Sequence, residues 1–253
     1  MHTQIPDAVT RNTRKVFPAL TGLLLLAAAA RPVSAQTPLS DPGIPHGETA
    51  AYRVTTDNGE TAIIRESVTV GEEQGRRFYE ITRESATERS VSRIFSDTMV
   101  AFYTRTRSRG SGYTSESSTA IQYEHPIESP HIVLTGMESL NHALRGFPFE
   151  SSDLLYIKPF GASDEEEGAQ FAMTVQSRKP ETLEIGERQI ECYKLQLRVA
   201  MTGVFGILNG LIPKSYFWYS VTPPHYLVAY EINSGSAGAD KSRGEIIEYS
   251  GWR

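Results

Sequence analysis

Residues 190–201, IECYKLQLRVAM, carry the clearest structural pattern in this chain. Large apolar side chains fall on every second position from Tyr193 to Met201, and Cys192 and long polar residues lie between them. A period of two indicates a strand with one face on a core and the other toward water. Strands of this kind are typical of antiparallel sheets. The stretch therefore predicts an antiparallel sheet with one face buried against a core.

Similar strand patterns extend in both directions from this stretch. Turn signals separate them, among them Asn58-Gly59, a strong β-hairpin signal. The short spacing predicts one all-β domain, a curved antiparallel sheet or open barrel. The further predicted strands are residues 50–54, 64–70, 76–88, 98–106, 113–124, 171–175, 216–221, 226–232 and 245–251.

Residues 137–146, MESLNHALRG, break the β pattern. Met137, Leu140 and Leu144 recur at helical spacing, and Gly146 stands where a glycine commonly caps a helix. We therefore predict one short helix. A helix packed on the concave face of a curved sheet is a way to build a ligand cavity.

A second apolar segment, residues 203–213, sits between two predicted strands and contains three glycines. It is interpreted as a buried hydrophobic cover, with an exposed patch in peripheral contact with a membrane as the alternative. Aromatic residues cluster after it, and they either line an apolar site or fill a β core. The predicted ligand-binding residues are Leu140, Leu144, Phe205, Ile207, Leu208, Leu211 and Trp218.

The N-terminus has the three parts of a secretory signal peptide. Basic residues precede an apolar run over 16–30, and Val33-Ser34-Ala35 forms a small-residue cleavage site. The run is short for a membrane span, which needs about 20 residues, so an uncleaved anchor is the weaker alternative. The residue directly after the cleavage site is Gln36 and not a cysteine that could carry a lipid anchor, so we expect a soluble periplasmic or secreted protein. The predicted organisation is a signal over 1–35, an extended Pro- and Gly-rich leader over 36–46 and one β domain over 47–253.

Charge and cysteine content exclude several classes of protein. The full chain has a formal net charge of −5, and cleavage of the basic signal would make it more acidic. A nucleic-acid partner is not expected, because nucleic acid demands a basic face. Cys192 is the only cysteine, so no intramolecular disulfide is possible, and we expect it to be a packed residue.

No motif identifies a catalytic mechanism. The sequence has no phosphate-binding glycine loop, no nucleophile elbow and no zinc-protease helix. His125, Glu128 and His131 offer zinc-ligand chemistry, but Pro126 and Pro130 forbid the regular helix that would gather them. We predict no metal, no cofactor and no catalytic residue. A hydrolase built around His125 or His142 stays open as an alternative.

Several short segments together resemble one protein family. They are Gly47-Glu48 with residues 52–54, then 139–149, 185–195 and 217–228. In this order they resemble a family of uncharacterised exported proteins of Gram-negative bacteria, a domain of unknown function. The resemblance implies a curved antiparallel sheet, loosely similar in architecture to the periplasmic lipoprotein carriers that hold acyl chains against one helix. It implies no catalytic residues.

Two functions follow as expectations. The first is an exported, non-enzymatic binding or carrier protein for an apolar or lipid-like ligand. The alternative is a cell-envelope protein-interaction or assembly factor that binds through a sheet edge or patch. An apolar cavity of about 300 Å³ or more between the helix at 137–146 and the sheet would favour the carrier. A solid core there would favour the interaction module.

Overall fold

The computed structural model describes residues 39–110, 113–120, 132–134, 137–151, 154–159, 171–201, 213–233 and 241–252. The predicted signal peptide lies outside this part of the chain, as do the first leader residues. The same holds for residues 203–212 of the apolar segment and for His125, Glu128 and His131. These predictions stay predictions.

The described strands form a single sheet. Its thirteen strands follow the order β6-β5-β4-β3-β2-β1-β13-β12-β11-β10-β9-β8-β7. Neighbours are antiparallel except for the parallel pair β7 and β8, and the sheet ends at β6 and β7 without closing into a barrel. The strands are β1 Thr49–Thr56, β2 Thr61–Glu73, β3 Arg76–Glu84, β4 Glu88–Phe95, β5 Ala101–Gly110, β6 Tyr113–Ala120, β7 Ile132–Leu134, β8 Leu154–Pro159, β9 Phe171–Ile185, β10 Arg188–Met201, β11 Ser215–Ser220, β12 Leu227–Asn233 and β13 Lys241–Tyr249.

One helix accompanies the sheet in the described residues. It comprises α1, Met137–Ala143, continued by a 3-10 turn, Leu144–Gly146. The helix contacts β3 and β4, and its Asn141 carbonyl accepts a hydrogen bond from Tyr219 on β11 at 2.9 Å. In a flat sheet β4 and β11 would lie six strand spacings, about 29 Å, apart, but a helix is only about 10–12 Å across. The sheet must therefore curve around α1, which confirms the predicted class: all-β, mainly antiparallel, with one short helix on the concave face.

Strand β10 confirms the pattern from which the fold was predicted. Leu195 and Leu197 are buried in the core, and Tyr193 stacks on Phe149 with ring centroids 4.6 Å apart. The opposite face of β10 is more buried than the pattern predicts. Gln196 on that face is buried and accepts a hydrogen bond from Arg178. Cys192 is buried too, and burial raises the pKa of its thiol to about 12. That environment suits the packed residue expected at this position.

The prediction of one strand over residues 76–88 is wrong. The chain turns after Glu84, and Glu88 begins the next strand. Ser85 makes this turn: its backbone N–H donates to the Glu88 carbonyl at 2.8 Å, and its hydroxyl accepts from the Glu88 N–H at 3.0 Å. The turn contains neither glycine nor proline, so the usual sequence signals were missing.

Part of the predicted leader belongs to the folded core. Leu39 and Ile44 are buried, and the Ile44 N–H donates to the Tyr79 hydroxyl at 3.1 Å. The Ser40 N–H donates to the Gly146 carbonyl at 3.0 Å. We call residues 39–46 the strap, because they tie the end of the helix to strand β3.

Position 146 requires a glycine because a side chain would not fit there, and not because the helix ends in a glycine cap. It is not among the described glycines with positive φ, and Phe147 after it is already extended. A Cβ on Gly146 would overlap the Ser40 carbonyl oxygen in the strap. The cap predicted from sequence is therefore corrected to a close approach of two backbones.

Gly146→Ala is expected to lower the free energy of unfolding by about 1–3 kcal/mol, the usual cost of overpacking. Urea denaturation of the mature protein measures the change. Gly43→Ala is the comparison for backbone strain without a collision, because φ there is +69° but the space around a Cβ is open; it should cost about 1–2 kcal/mol. Unchanged stability in Gly146→Ala would contradict the proposed collision.

Candidate functional site

A cluster of buried charged side chains lies between α1 with its 3-10 turn and the concave face of the sheet. Arg145 is its centre and is 2% exposed. Its Nη1 and Nη2 donate to the two carboxylate oxygens of Glu48 at 2.5 and 3.0 Å, and its Nε donates to the Pro224 carbonyl at 3.0 Å. This two-point geometry is the strongest form of arginine–carboxylate pair.

Glu48 is held in its charged form. It lies just before β1, is 6% exposed, and also accepts a hydrogen bond from the Tyr249 hydroxyl at 2.9 Å. Burial alone would raise the pKa of Glu48, but the hydrogen bonds and charge of Arg145 outweigh burial and lower that pKa. The pair therefore stays ionised although it is buried.

A second contact joins the helix to β2. His142 Nε2 lies 3.3 Å from the carboxylate of Glu66, and Arg83 Nε on β3 lies 3.8 Å from its other oxygen. Burial would raise the pKa of Glu66, but the hydrogen bond and charge of His142 and the charge of Arg83 lower it overall. Glu48, just before β1, and Glu66 on β2 thus bind the basic residues of the 3-10 turn and of α1, respectively.

These pKa shifts predict an acid-sensitive fold. A carboxyl with a lowered folded pKa stabilises the protein above its unfolded value, ordinarily about 4.5, and loses that contribution as pH falls through the folded pKa. The stability contributed by Glu48 and Glu66 should therefore be complete at pH 6 and decline below about pH 4.5.

Urea denaturation at a series of pH values checks this expectation. Glu66→Gln should make the decline below about pH 4.5 shallower than in the unsubstituted protein, because one titrating group is removed. An identical slope in the two proteins would contradict the assignment of Glu66.

Among the described residues, the space around the buried charge cluster is almost filled. The cavity enclosed by the cluster measures about 10 Å³ and is lined by Glu48, Tyr52, Glu66, His142 and Arg145 among others. A single water molecule needs about that much room. Around this cluster, in the part of the chain that the structure describes, the core is solid, and an acyl chain does not fit at this position.

Two larger grooves are open to the surface in the described part of the chain. One measures about 460 Å³ and the other about 620 Å³. Both have polar and charged linings rather than the mainly apolar lining of a lipid site. The smaller is lined by residues such as Thr49, Arg65, Ser67, Glu84 and Glu248, and the larger by residues such as Asp57, Lys214, Tyr216, Glu231 and Arg243.

The predicted ligand-binding residues fall into three groups. Leu140 and Leu144 lie together, buried on the helix side of the sheet. Trp218 points to the opposite face, because it alternates with Tyr219, whose hydroxyl reaches the helix. Phe205, Ile207, Leu208 and Leu211 lie outside the described residues. The structure therefore does not bring Trp218 together with the two leucines.

Trp218 takes part in a charged cluster of its own. Its Nε1 donates to Glu181 at 2.5 Å, and Lys194 Nζ lies 5.0 Å from the ring centroid. Arg243 lies 5.8 Å from the same centroid. These cations cover the ring, which is buried on the outer face of the sheet.

The buried cluster offers little for catalysis. His142 is buried, and its Nε2 is directed to Glu66, so a substrate from solution does not reach that nitrogen. Among the described residues, no three His, Cys, Asp or Glu side chains are grouped to hold a metal ion. In the same part of the chain, no helix is long and apolar enough to cross a membrane.

Comparisons with known proteins give only distant likenesses. No family model matches the chain, and no curated protein matches it. Among solved structures, the hypothetical lipoprotein YmcC from Escherichia coli (K12) is 12% identical with a TM-score of 0.36, over 81% of this chain and 88% of that one.

Two further structures come from other bacteria. A candidate lipoprotein from Parabacteroides distasonis ATCC 8503 is 10% identical with a TM-score of 0.38, over 85% of this chain and 99% of that one. A candidate exported protein with a YmcC-like fold from Bacteroides fragilis NCTC 9343 is 12% identical with a TM-score of 0.33, over 85% and 100%. These TM-scores are too low to support any conclusion about what this chain binds or does.

Proposed function

We propose that this chain is an exported, non-enzymatic cell-envelope protein that binds another protein as an interaction or assembly factor. The observation that carries the proposal is the packing around the buried charge cluster, where the described residues of the helix and the sheet leave a cavity of only about 10 Å³. A carrier that holds its ligand against this helix needs a cavity many times larger. The surfaces left for binding are the outer face, its grooves and the edges of the sheet.

Two further features support this proposal. The N-terminal sequence has the pattern of an export signal, which favours a role in the envelope. The buried charges fix the helix to the sheet through Glu48 and Glu66, and breaking either pair would leave an uncompensated buried charge.

A carrier of an apolar or lipid-like ligand is the second candidate, and one observation favours it. The lining of the groove of about 620 Å³ includes Pro213, the last residue of the apolar segment 203–213, and Lys214 directly after it. If that segment covers the groove, Phe205, Ile207, Leu208 and Leu211 are the residues to bind the ligand. Peripheral contact with a membrane through the same residues is the related possibility.

Site-specific photo-cross-linking in living cells tests the proposal. A photo-reactive amino acid would be placed at exposed positions of the sheet, such as Thr55 and Thr182, and at buried Leu144 as the matched control. We expect one dominant protein adduct from a surface position and none from Leu144. Absence of a protein adduct from every surface position, together with a lipid adduct at Leu144, would overturn the proposal.

A further inference from the structure

We propose that the cavity at the buried charge cluster binds one water molecule, and that the side chains of Asn141 and His142 hold it. The cavity is the one of about 10 Å³ between the helix and the sheet. The inference concerns a small polar ligand of the fold itself. It therefore goes beyond the proposed function and does not depend on it.

Two buried polar atoms of α1 define the site. They are Asn141 Oδ1 and His142 Nδ1, and neither has a hydrogen-bond partner among the described residues. Their residues are only 4% and 6% exposed, so bulk solvent does not reach the two atoms. In native proteins, most buried polar atoms are hydrogen-bonded either to protein or to ordered water. Water is therefore the partner to expect for both atoms.

Neither residue can turn to another protein partner without breaking a contact that it already makes. The other ring nitrogen of His142, Nε2, lies 3.3 Å from the carboxylate of Glu66. The backbone carbonyl of Asn141 accepts a hydrogen bond from the Tyr219 hydroxyl at 2.9 Å, which fixes the helix at this residue. The two side chains are thus held in place, and a partner has to come to them.

The hydrogen-bonding character of the two atoms selects the ligand. A charged carboxylate only accepts hydrogen bonds, so Nε2 of His142 carries the hydrogen that is directed to Glu66. In a neutral imidazole the other nitrogen is then an acceptor, and the side-chain oxygen of Asn141 is an acceptor as well. A ligand for both needs donors, which water has and an anion such as chloride lacks.

The cavity matches water in size and in lining. Asn141 and His142 both line it, together with charged residues such as Glu48, Glu66 and Arg145. A buried water molecule needs roughly 10–15 Å³ of such volume and two to four polar partners. Apolar cavities stay dry, but polar cavities of this size hold water. A larger polar ligand, such as acetate or phosphate, does not fit.

Water relaxation in the mature protein tests the inference. Magnetic relaxation dispersion of the water oxygen counts the molecules that stay bound for longer than the protein takes to tumble. Cross-relaxation spectra between water and protein protons show where such a molecule lies. The variant is Ala50→Val, because Ala50 lines the cavity and the larger side chain fills it without altering Asn141 or His142. The matched control is Ala62→Val, at an exposed position of β2.

We expect cross-relaxation between a long-lived water molecule and protons of Asn141 or His142 in the unsubstituted protein. Ala50→Val should lower the number of long-lived water molecules by one. Asn141→Leu, which keeps a similar shape but removes the acceptor, should do the same. Ala62→Val should leave the number unchanged.

The measurement on the unsubstituted protein decides the inference even if a variant does not fold. Absence of cross-relaxation with a long-lived water molecule at both Asn141 and His142 would overturn the inference. An unchanged number of long-lived water molecules in folded Ala50→Val would also overturn it, as would an equal loss in Ala62→Val.

Discussion

Arg145→Met is expected to lower the free energy of unfolding by about 3–5 kcal/mol, because it leaves the charge of Glu48 buried without its partner. Arg145 provides the two-point contact to Glu48 and also the hydrogen bond to Pro224. Methionine keeps much of the side-chain volume, so the loss reports on charge rather than on packing. Urea denaturation of the mature protein at pH 7 measures it.

The matched control is an exposed ion pair. Arg76 and Asp97 lie 2.7 Å apart, with side chains that are 42% and 57% exposed. Asp97→Asn should therefore cost at most about 1 kcal/mol. The double variant Arg145→Met, Glu48→Met should recover part of the stability lost in Arg145→Met, because it removes the unpaired charge. A cost in Arg145→Met no larger than that in Asp97→Asn would contradict the role of the buried pair.

Leu144→Ala is expected to lower the free energy of unfolding by about 2–5 kcal/mol, the usual cost of removing a buried leucine side chain. Leu144 is 0% exposed and belongs to the core between the helix and the sheet. Leu154, which is 38% exposed on β8, is the matched control. Leu154→Ala should change stability by less than about 0.5 kcal/mol.

This prediction also separates the two functions considered. A leucine that lines a ligand cavity in a carrier would reduce ligand binding when shortened and would cost little stability without ligand. Thermal unfolding of protein stripped of lipid in mild detergent and returned to buffer gives the relevant comparison. A loss below about 0.5 kcal/mol in Leu144→Ala would contradict the filled core and favour the carrier.

Much of the fold could be predicted from local patterns. The alternation from Tyr193 to Met201 predicted β10, and the spacing of Leu140 and Leu144 predicted the helix. Asn58-Gly59 predicted the first hairpin, in which Gly59 has a φ of +83°. These features depend on residues close together in the chain, and period and turn chemistry report on such residues directly.

The buried charge cluster could not be predicted in the same way. Glu48 and Arg145 are 97 positions apart, and no local pattern shows that their strand and helix meet. From sequence, His142 is either a boundary residue of the helix or a candidate base. His142 and Arg145 are three positions apart, which places both basic side chains on neighbouring parts of the helix surface. This spacing is the one local sign that the helix carries a basic face. The acidic partners become evident only once β1 and β2 lie beneath the helix.

The ends of strands are also hard to predict from sequence where a turn lacks glycine and proline. Residues 76–88 were predicted as one strand because the Ser85 turn lacks glycine and proline. The turn depends on hydrogen bonds of one serine with Glu88. Serine is common in exposed strands and in turns alike, so composition alone does not separate the two cases.

The most direct test of the proposed function is native mass spectrometry, which shows whether the protein carries a bound lipid. The mature protein would be purified without detergent from a cell extract that contains membranes. Because the cavity that the described residues leave between the helix and the sheet at the charge cluster measures about 10 Å³, we expect the mass of the polypeptide alone, with no stoichiometric lipid. A lipid adduct in a one-to-one ratio, lost on Leu140→Ala or Leu144→Ala, would contradict the proposal and identify the chain as a carrier.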